Sequence, residues 1–301
     1  MTDYGHEPLF GAFITPAADP AYHAVELAQA AERAGLDLVT FQDHPYQPAF
    51  LDTWTLISYA AARTTRIHLS GNVLNLPLRH PVLLARSAAS LDLLSGGRIE
   101  LGLGAGSFWD AIEAMGGPRR KPGQAVEALE EAIGIVRAVW DTSTRGGIYF
   151  EGEHYRIKGA KRGPSPAHDI GIWIGAYGPR MLRLTGRAAD GWLPSLPYLK
   201  GGFSDLEEMN ARIDEGAASA GRDPSEVRRL INLAGRFTSG GGRSPLTGPP
   251  RQWAEELARL TLDYGMSGFI LMADDAYSME LFGSEVAPAV REMVAAGRKG
   301  R

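Results

Sequence analysis

Eight short apolar runs of strand type alternate with eight stretches of helical periodicity, and this alternation limits the fold more than any other feature. The strand-type runs fall at 9–14, 36–41, 67–73, 98–103, 172–174, 191–193, 227–234 and 268–272. The helical stretches fall at 22–34, 54–62, 81–94, 124–140, 179–187, 206–220, 253–264 and 279–296. Gly35 stands where the first helix should stop. Strands separated by helices pair in parallel through right-handed crossovers. Eight such units over 301 residues predict an α/β fold with one closed (β/α)8 barrel, a single domain over 1–301. A doubly wound open sheet is the alternative. Against it, the first strand–helix turn, Thr15-Pro16-Ala17-Ala18, lacks the glycine fingerprint of dinucleotide-binding sheets. Residues 148–157 alternate like a hairpin with Gly152 in its turn, an excursion before strand five.

Composition removes several functions. The net charge of −4 leaves no basic footprint for nucleic acid. The absence of cysteine removes disulfides, thiolate catalysis and Cys-ligated metal. The opening MTDYGHEPLF has no signal-peptide pattern, and no run reaches the ~20 apolar residues of a membrane span. The expectation is a cytoplasmic protein acting on a small molecule.

In a barrel of this kind the site lies at the C-terminal ends of the strands. That rim would gather Ile14-Thr15, Asp43-His44, Asn72-Val73, Gly104–Ser107, Gly175–Pro179, Pro194-Ser195, Arg236 and Ala273-Asp274-Asp275. Gly175-Ala176-Tyr177-Gly178 turns the chain, and Pro179 follows at the first helical position, where its missing N–H costs nothing. Free N–H groups and the helix dipole make this turn a candidate anion site, with Arg180 next to it. His44 is a candidate general acid or base, since imidazole titrates near neutrality. Asp43 beside it either orients a neighbour or stays solvated. His68 reads as a packed core residue, and His80 and His154 as structural. Neither H-x-H nor H-E-x-x-H occurs, so the spacing supports no metal site. Ser239–Pro250, SGGGRSPLTGPP, is either a surface loop or a substrate-gating lid. Glycines, one His and no nucleophile elbow point to cofactor-borne chemistry.

The stretches RIHLSGNVLNLPLRHPVLLARSAASLDLLSGGRIELGLGAG (66–106) and IGAYGPRMLRLTGRAADGW (174–192), with Asp43-His44, carry a family resemblance. The chain resembles the luciferase-like monooxygenases, barrels that use FMN or the deazaflavin coenzyme F420. Gly152-Glu153-His154-Tyr155 adds to it, and the likeness fades after about residue 195. The resemblance implies a bulge after strand three, often with a non-prolyl cis peptide, at Asn72-Val73, set against the middle ring of the flavin. It implies the cofactor phosphate on Ala176-Tyr177-Gly178-Pro179, and a cofactor edge along Ala105, Gly106 and Ser107. An Asp-His pair after strand two is similar to the F420-using branch, which makes F420 the first choice of cofactor and FMN the alternative. The implied reaction is hydride transfer between F420 and a small organic substrate. The alternatives are an FMN-dependent monooxygenase served by a flavin reductase and O2, and a non-catalytic flavin-binding barrel. A homodimer is implied by the same likeness. One departure stands out. Several F420 dehydrogenases carry an acidic residue after the Gly-x-Gly of strand four, where this chain has Ser107, with Asp110 three residues on. That argues against sugar-phosphate or simple alcohol dehydrogenation.

Overall fold

The computed structural model describes residues 3–242 and 244–300. Eight parallel strands close on themselves: β1 Leu9–Ile14, β2 Leu38–Phe41, β3 His68–Gly71, β4 Ile99–Gly104, β5 Ile172–Ile174, β6 Gly191–Trp192, β7 Arg228–Leu233 and β8 Gly268–Met272. Each pairs with its neighbour in sequence, and β1 pairs with β8, Leu9 opposite Gly268, to shut the barrel. The expected barrel is therefore the observed one. Around it run α1 His23–Arg33, α2 Thr53–Arg63, α3 Pro81–Ser95, α4 Pro122–Trp140, α5 Pro179–Ala188, α6 Asp205–Ser219, α7 Pro250–Tyr264 and a final helical run, α8, over 276–299. Gly35, at φ +83°, ends the first helix as its position predicted.

Alternation along the strands divides the apolar residues into two sets. Phe10, Ala12, Ile14, Val39 and Phe41 point outward into a core shared with the helices. Leu38, Trp173, Leu193, Leu230 and Ile270 form a second cluster inside the barrel, with Leu9, Phe13 and Val73 against it. Each Val, Leu, Ile or Phe among them contributes roughly 1.5–3 kcal/mol on burial. Above this plug lies a polar layer. Asn72 donates to Asn232 Oδ1 (2.7 Å) and Thr40 Oγ1 (3.0 Å), while Asn232 donates back to Asn72 Oδ1 (3.1 Å) and to Ser195 Oγ (2.9 Å). These amides are buried but bonded, which removes the cost of holding them away from water.

Three departures from the sequence expectations matter for the site. Strand three ends at Gly71, the Asn72 N–H giving the last ladder bond to Phe41 O; the Asn72–Val73 peptide is cis, and pairing to β4 resumes at Leu74–Asn75. A short unexpected helix, Trp109–Ala114, follows β4. Residues 236–237 pair with 247–248, and Leu246 is buried, so the described part of the glycine-rich stretch folds back on α7; Arg243 lies outside the described residues. The hairpin is present as Ile148–Glu151 paired antiparallel with Arg156–Ala160. Its turn is held by Glu131 of α4, which accepts the N–H groups of Glu153, His154 and Tyr155. Among the described residues no helix is long and apolar enough to cross a membrane.

Candidate active site

A cavity of about 920 Å³ opens at the C-terminal ends of the strands, off the barrel axis, over β2 to β6. It gathers Asp43, His44, Asn72, Val73, Gly104, Ala105, Gly106, Ser107, Gly175, Tyr177, Gly178, Pro179 and Ser195 from the expected rim, with Arg180 beside them. Ile14-Thr15, Arg236 and Ala273–Asp275 lie elsewhere on the rim and do not line it. Asp274 instead accepts the Thr15 N–H (2.8 Å), and Asp275 caps α8 at the Ser278 N–H. Ala176 is also outside the lining. Its side chain is buried under the turn, and its carbonyl accepts the Trp192 indole N–H at 2.9 Å.

His44 follows β2 in an aromatic enclosure. Its Nδ1 shares a 2.6 Å hydrogen bond with the Tyr46 hydroxyl, and the rings of Tyr46 and Phe108 each stand edge-on at 5.4 Å. Burial pushes the imidazole pKa below its ordinary value, against a smaller opposing pull from the Asp43 charge. Burial also pushes the Tyr46 phenol up to about 12. At neutral pH both groups are uncharged, and Nε2 has no protein hydrogen-bond partner among the described residues. Which nitrogen carries the proton follows from the ligand it meets.

Asp43 makes no hydrogen bond to His44. Its carboxylate, fully buried, receives a two-pronged hydrogen bond from Arg79 (2.8 Å to each oxygen) and the Asn75 N–H (2.8 Å). Arg79 also reaches Asp52, the N-cap of α2, at 3.0 Å. Asp43 thus ties the loop after β2 to the bulge after β3, a positioning part rather than the partner of the imidazole.

The floor is Val73. A Cβ on Gly104 would lie 2.7 Å from its Cγ2, and one on Gly175 3.2 Å away, so the isopropyl group is seated between two glycines. The anion turn has the opposite character. A Cβ on Gly178 would meet nothing within 4 Å, and Gly178 is the N-cap of the ten-residue α5 with Pro179 behind it. The turn is braced from outside, since Tyr177 Oη accepts the Ser195 N–H at 2.8 Å. Arg180 leans away toward Glu127 (3.1 Å).

A bound flavin or deazaflavin has to be fitted to this lining. Asn75 Oδ1 is buried, without a hydrogen-bond partner, and Asn75 lines the cavity; an acceptor of that kind suits the ring N–H of either cofactor. The open N-terminus of α5 suits the phosphate. The residues present therefore fit the group. Asn75, Tyr46, Phe108, Arg79 and Asn232 were not singled out in the sequence. Tyr46, two residues past His44, carried a local signal; the others meet the site through contacts distant in the chain.

The family profile described as luciferase-like monooxygenase matches residues 8–240. An uncharacterized protein of Mycobacterium tuberculosis is 34% identical over 240 residues, covering 72% of this chain and 78% of its own. An F420-dependent glucose-6-phosphate dehydrogenase of Mycolicibacterium gilvum is 34% identical over 220 residues; that match takes in 69% of this chain and 63% of the enzyme. Among solved structures, an F420-dependent secondary alcohol dehydrogenase in complex with an F420-acetone adduct has a TM-score of 0.81 at 19% identity, covering 95% of this chain and 99% of that one. A long-chain alkane monooxygenase has a TM-score of 0.74 at 16% identity, covering 97% and 92%. At these identities the structural likeness is one of fold.

Proposed function

The chain belongs to the luciferase-like monooxygenase family, and from that premise we propose that its barrel mouth binds coenzyme F420 and moves hydride between it and a small organic substrate. The observation that carries this reading is His44, an uncharged imidazole enclosed by Tyr46 and Phe108 beside the cavity, with no other proton acceptor of its kind lining that space among the described residues. The F420-dependent relatives support the choice of cofactor.

The deazaflavin, when bound, supplies the hydride chemistry. The chain supplies the rest. Gly178 and the first N–H groups of α5 hold the phosphate. Val73 sets the floor, Asn75 Oδ1 takes a ring N–H, and the Arg79–Asp43 pair fixes the loop that carries His44. His44 takes or returns, at Nε2, the proton that accompanies hydride transfer. Phe108 and Tyr46 hold the ring edge-on, Tyr46 through Nδ1, which leaves Nε2 as the working nitrogen. Ser107 lines the cavity, while Asp110 is almost wholly exposed and paired with Arg119, so neither places a carboxylate on a substrate. This favours a substrate other than a sugar phosphate. The homodimer belongs to the same reading, and sedimentation at micromolar concentration checks it.

Equilibrium titration of the purified protein with F420 and with FMN tests the proposal. Saturable F420 binding, with FMN far weaker, is the expected result. FMN binding without F420 binding would transfer the site to a monooxygenase served by a flavin reductase, and binding of neither cofactor would overturn both readings.

A further inference from the structure

At the opposite end of the barrel three potential metal ligands converge that are far apart in sequence. His68 opens β3, Glu100 is the second residue of β4, and His168 sits in the loop before β5. One nitrogen of each imidazole and one Glu100 oxygen all lie within 4.8 Å of one another. Glu100 Oε1 is 3.4 Å from His68 Nδ1 and 3.4 Å from His168 Nε2. We propose that His68, Glu100 and His168 form a binding site for a zinc-class divalent cation, separate from the mouth.

Geometry carries the assignment. Charge-assisted hydrogen bonds between nitrogen and carboxylate close to about 2.7–2.9 Å, and both contacts here are longer. With metal–ligand bonds of about 2.1 Å, neighbouring ligands of a tetrahedral ion stand about 3.4 Å apart. The carboxylate is already aimed. Its other oxygen, Oε2, accepts the Gly171 N–H at 2.7 Å, which leaves Oε1 between the two rings. The rings stand nearly perpendicular, at 85°, with centroids 5.9 Å apart.

The outer partners have the form that orients a ligating histidine. Asp92 is fully buried, and its Oδ1 lies 2.9 Å from His168 Nδ1. Asp92 also accepts the N–H groups of Ile99, Ala167 and His168 itself, so it cannot turn away. Nδ1 therefore carries the proton toward Asp92, and Nε2 is presented to the cation. Two carboxylates, Glu100 and Asp92, balance a dication. His68 and Glu100 line a recess of about 530 Å³ that Arg66, Arg228 and Arg291 also line, but Arg228 directs its guanidinium to the carbonyls of Glu7 and Ser267, Arg66 to Glu32 O and Arg291 to Asp37. His68 is the accessible ligand, its side chain 39% exposed, so a water molecule can complete four-coordination. The bound ion would tie β3, β4 and the 161–171 segment together.

The test begins with chelator-stripped full-length protein, loaded with ZnCl2 or CoCl2 and desalted. About one metal per chain should be retained, and the cobalt form should show the intense visible absorption of four-coordination. His68→Ala, on an exposed ligand, should weaken zinc binding about 100-fold or more, while His23→Ala on α1 should not. Glu100→Gln, which keeps the side chain's size, serves if His68→Ala fails to fold. F420 titration at the mouth should be unchanged in the His68 variant. Substoichiometric retention, or equal affinity in wild type and both variants, would overturn the site and leave the cluster as an imidazole–carboxylate pair.

Discussion

At the mouth of the barrel His44 stands between two aromatic rings; at the other end His168 stands between two carboxylates. Burial lowers the pKa of the first, while the carboxylates of Glu100 and Asp92 beside it raise that of the second to about 9. Both rings are partly withdrawn from water, so burial alone does not separate them. The difference is where the nearby carboxylates point. Asp43 is next to His44 in sequence, but its oxygens are taken by Arg79 and the Asn75 N–H. Asp92 and Glu100 are distant from His168 in sequence, yet Asp92 bonds it at 2.9 Å and Glu100 faces its other nitrogen at 3.4 Å. Adjacency in the chain is a poor guide to electrostatic partnership; hydrogen-bond direction decides it.

The sharpest way to break this comparison is to remove one imidazole at each end of the barrel. His44→Ala should lower single-turnover reduction or reoxidation of the cofactor by ~10²–10⁴-fold, at an unchanged melting temperature. His68→Ala, at the opposite end, should leave that rate unchanged. Equal losses in the two variants would erase the functional difference between the ends.

Asp43→Ala tests whether the carboxylate beside His44 acts in positioning. It strands most of the Arg79 guanidinium, although Asp52 remains as a partner. Breaking a buried pair of this kind costs ~3 kcal/mol, read from urea unfolding. A stable variant with a lost proton-transfer step would instead make Asp43 the partner of His44.

Gly178→Val addresses the anion turn. The added side chain has open space around it, so folding should be preserved while cofactor binding weakens about tenfold through lost close approach. Unchanged affinity would take the turn out of the site.

The smallest effect is in the pH dependence. Burial disfavours the charged imidazole, so the folded pKa of His44 lies below 6.5 and the native chain binds fewer protons than the unfolded one between those values. The stability tied to His44 is fully present above pH 6.5 and is lost as pH falls through the folded pKa. The acid limb of the rate profile should therefore lie below pH 6.5 and vanish in His44→Ala. A limb above that value would point to a carboxylate-paired imidazole, as at the other end.

The barrel was legible in the sequence because its strands are buried on both faces and its helices on one. The expected runs 9–14 and 268–272 match β1 and β8 at both ends. Errors arose where local pattern is overruled by a distant bond. Trp109–Ala114 is six residues long, too short for periodicity to show. The last helical run begins at Ala276 rather than 279, because Asp275 caps it. His68 has the sequence setting of a packed core residue, yet it opens its strand and faces Glu100. Nothing near it in the chain announces a partner 32 or 100 residues on. The same holds for Arg79 and Asp43, 36 residues apart.

The reciprocal amide clasp between Asn72 and Asn232 has a consequence for how such a pocket can be remodelled. Both ends of the Asn72 carboxamide are committed downward, to Asn232 and Thr40. What Val73 presents to a ligand is hydrocarbon, clasped by its glycines, and the polar atom left open beside it is Asn75 Oδ1. The base of the pocket works as a mould: its part is to set contour. New substrates must be accommodated by replacing wall residues such as Ser107, Phe108 and Tyr198, each of which can be exchanged without recasting the base.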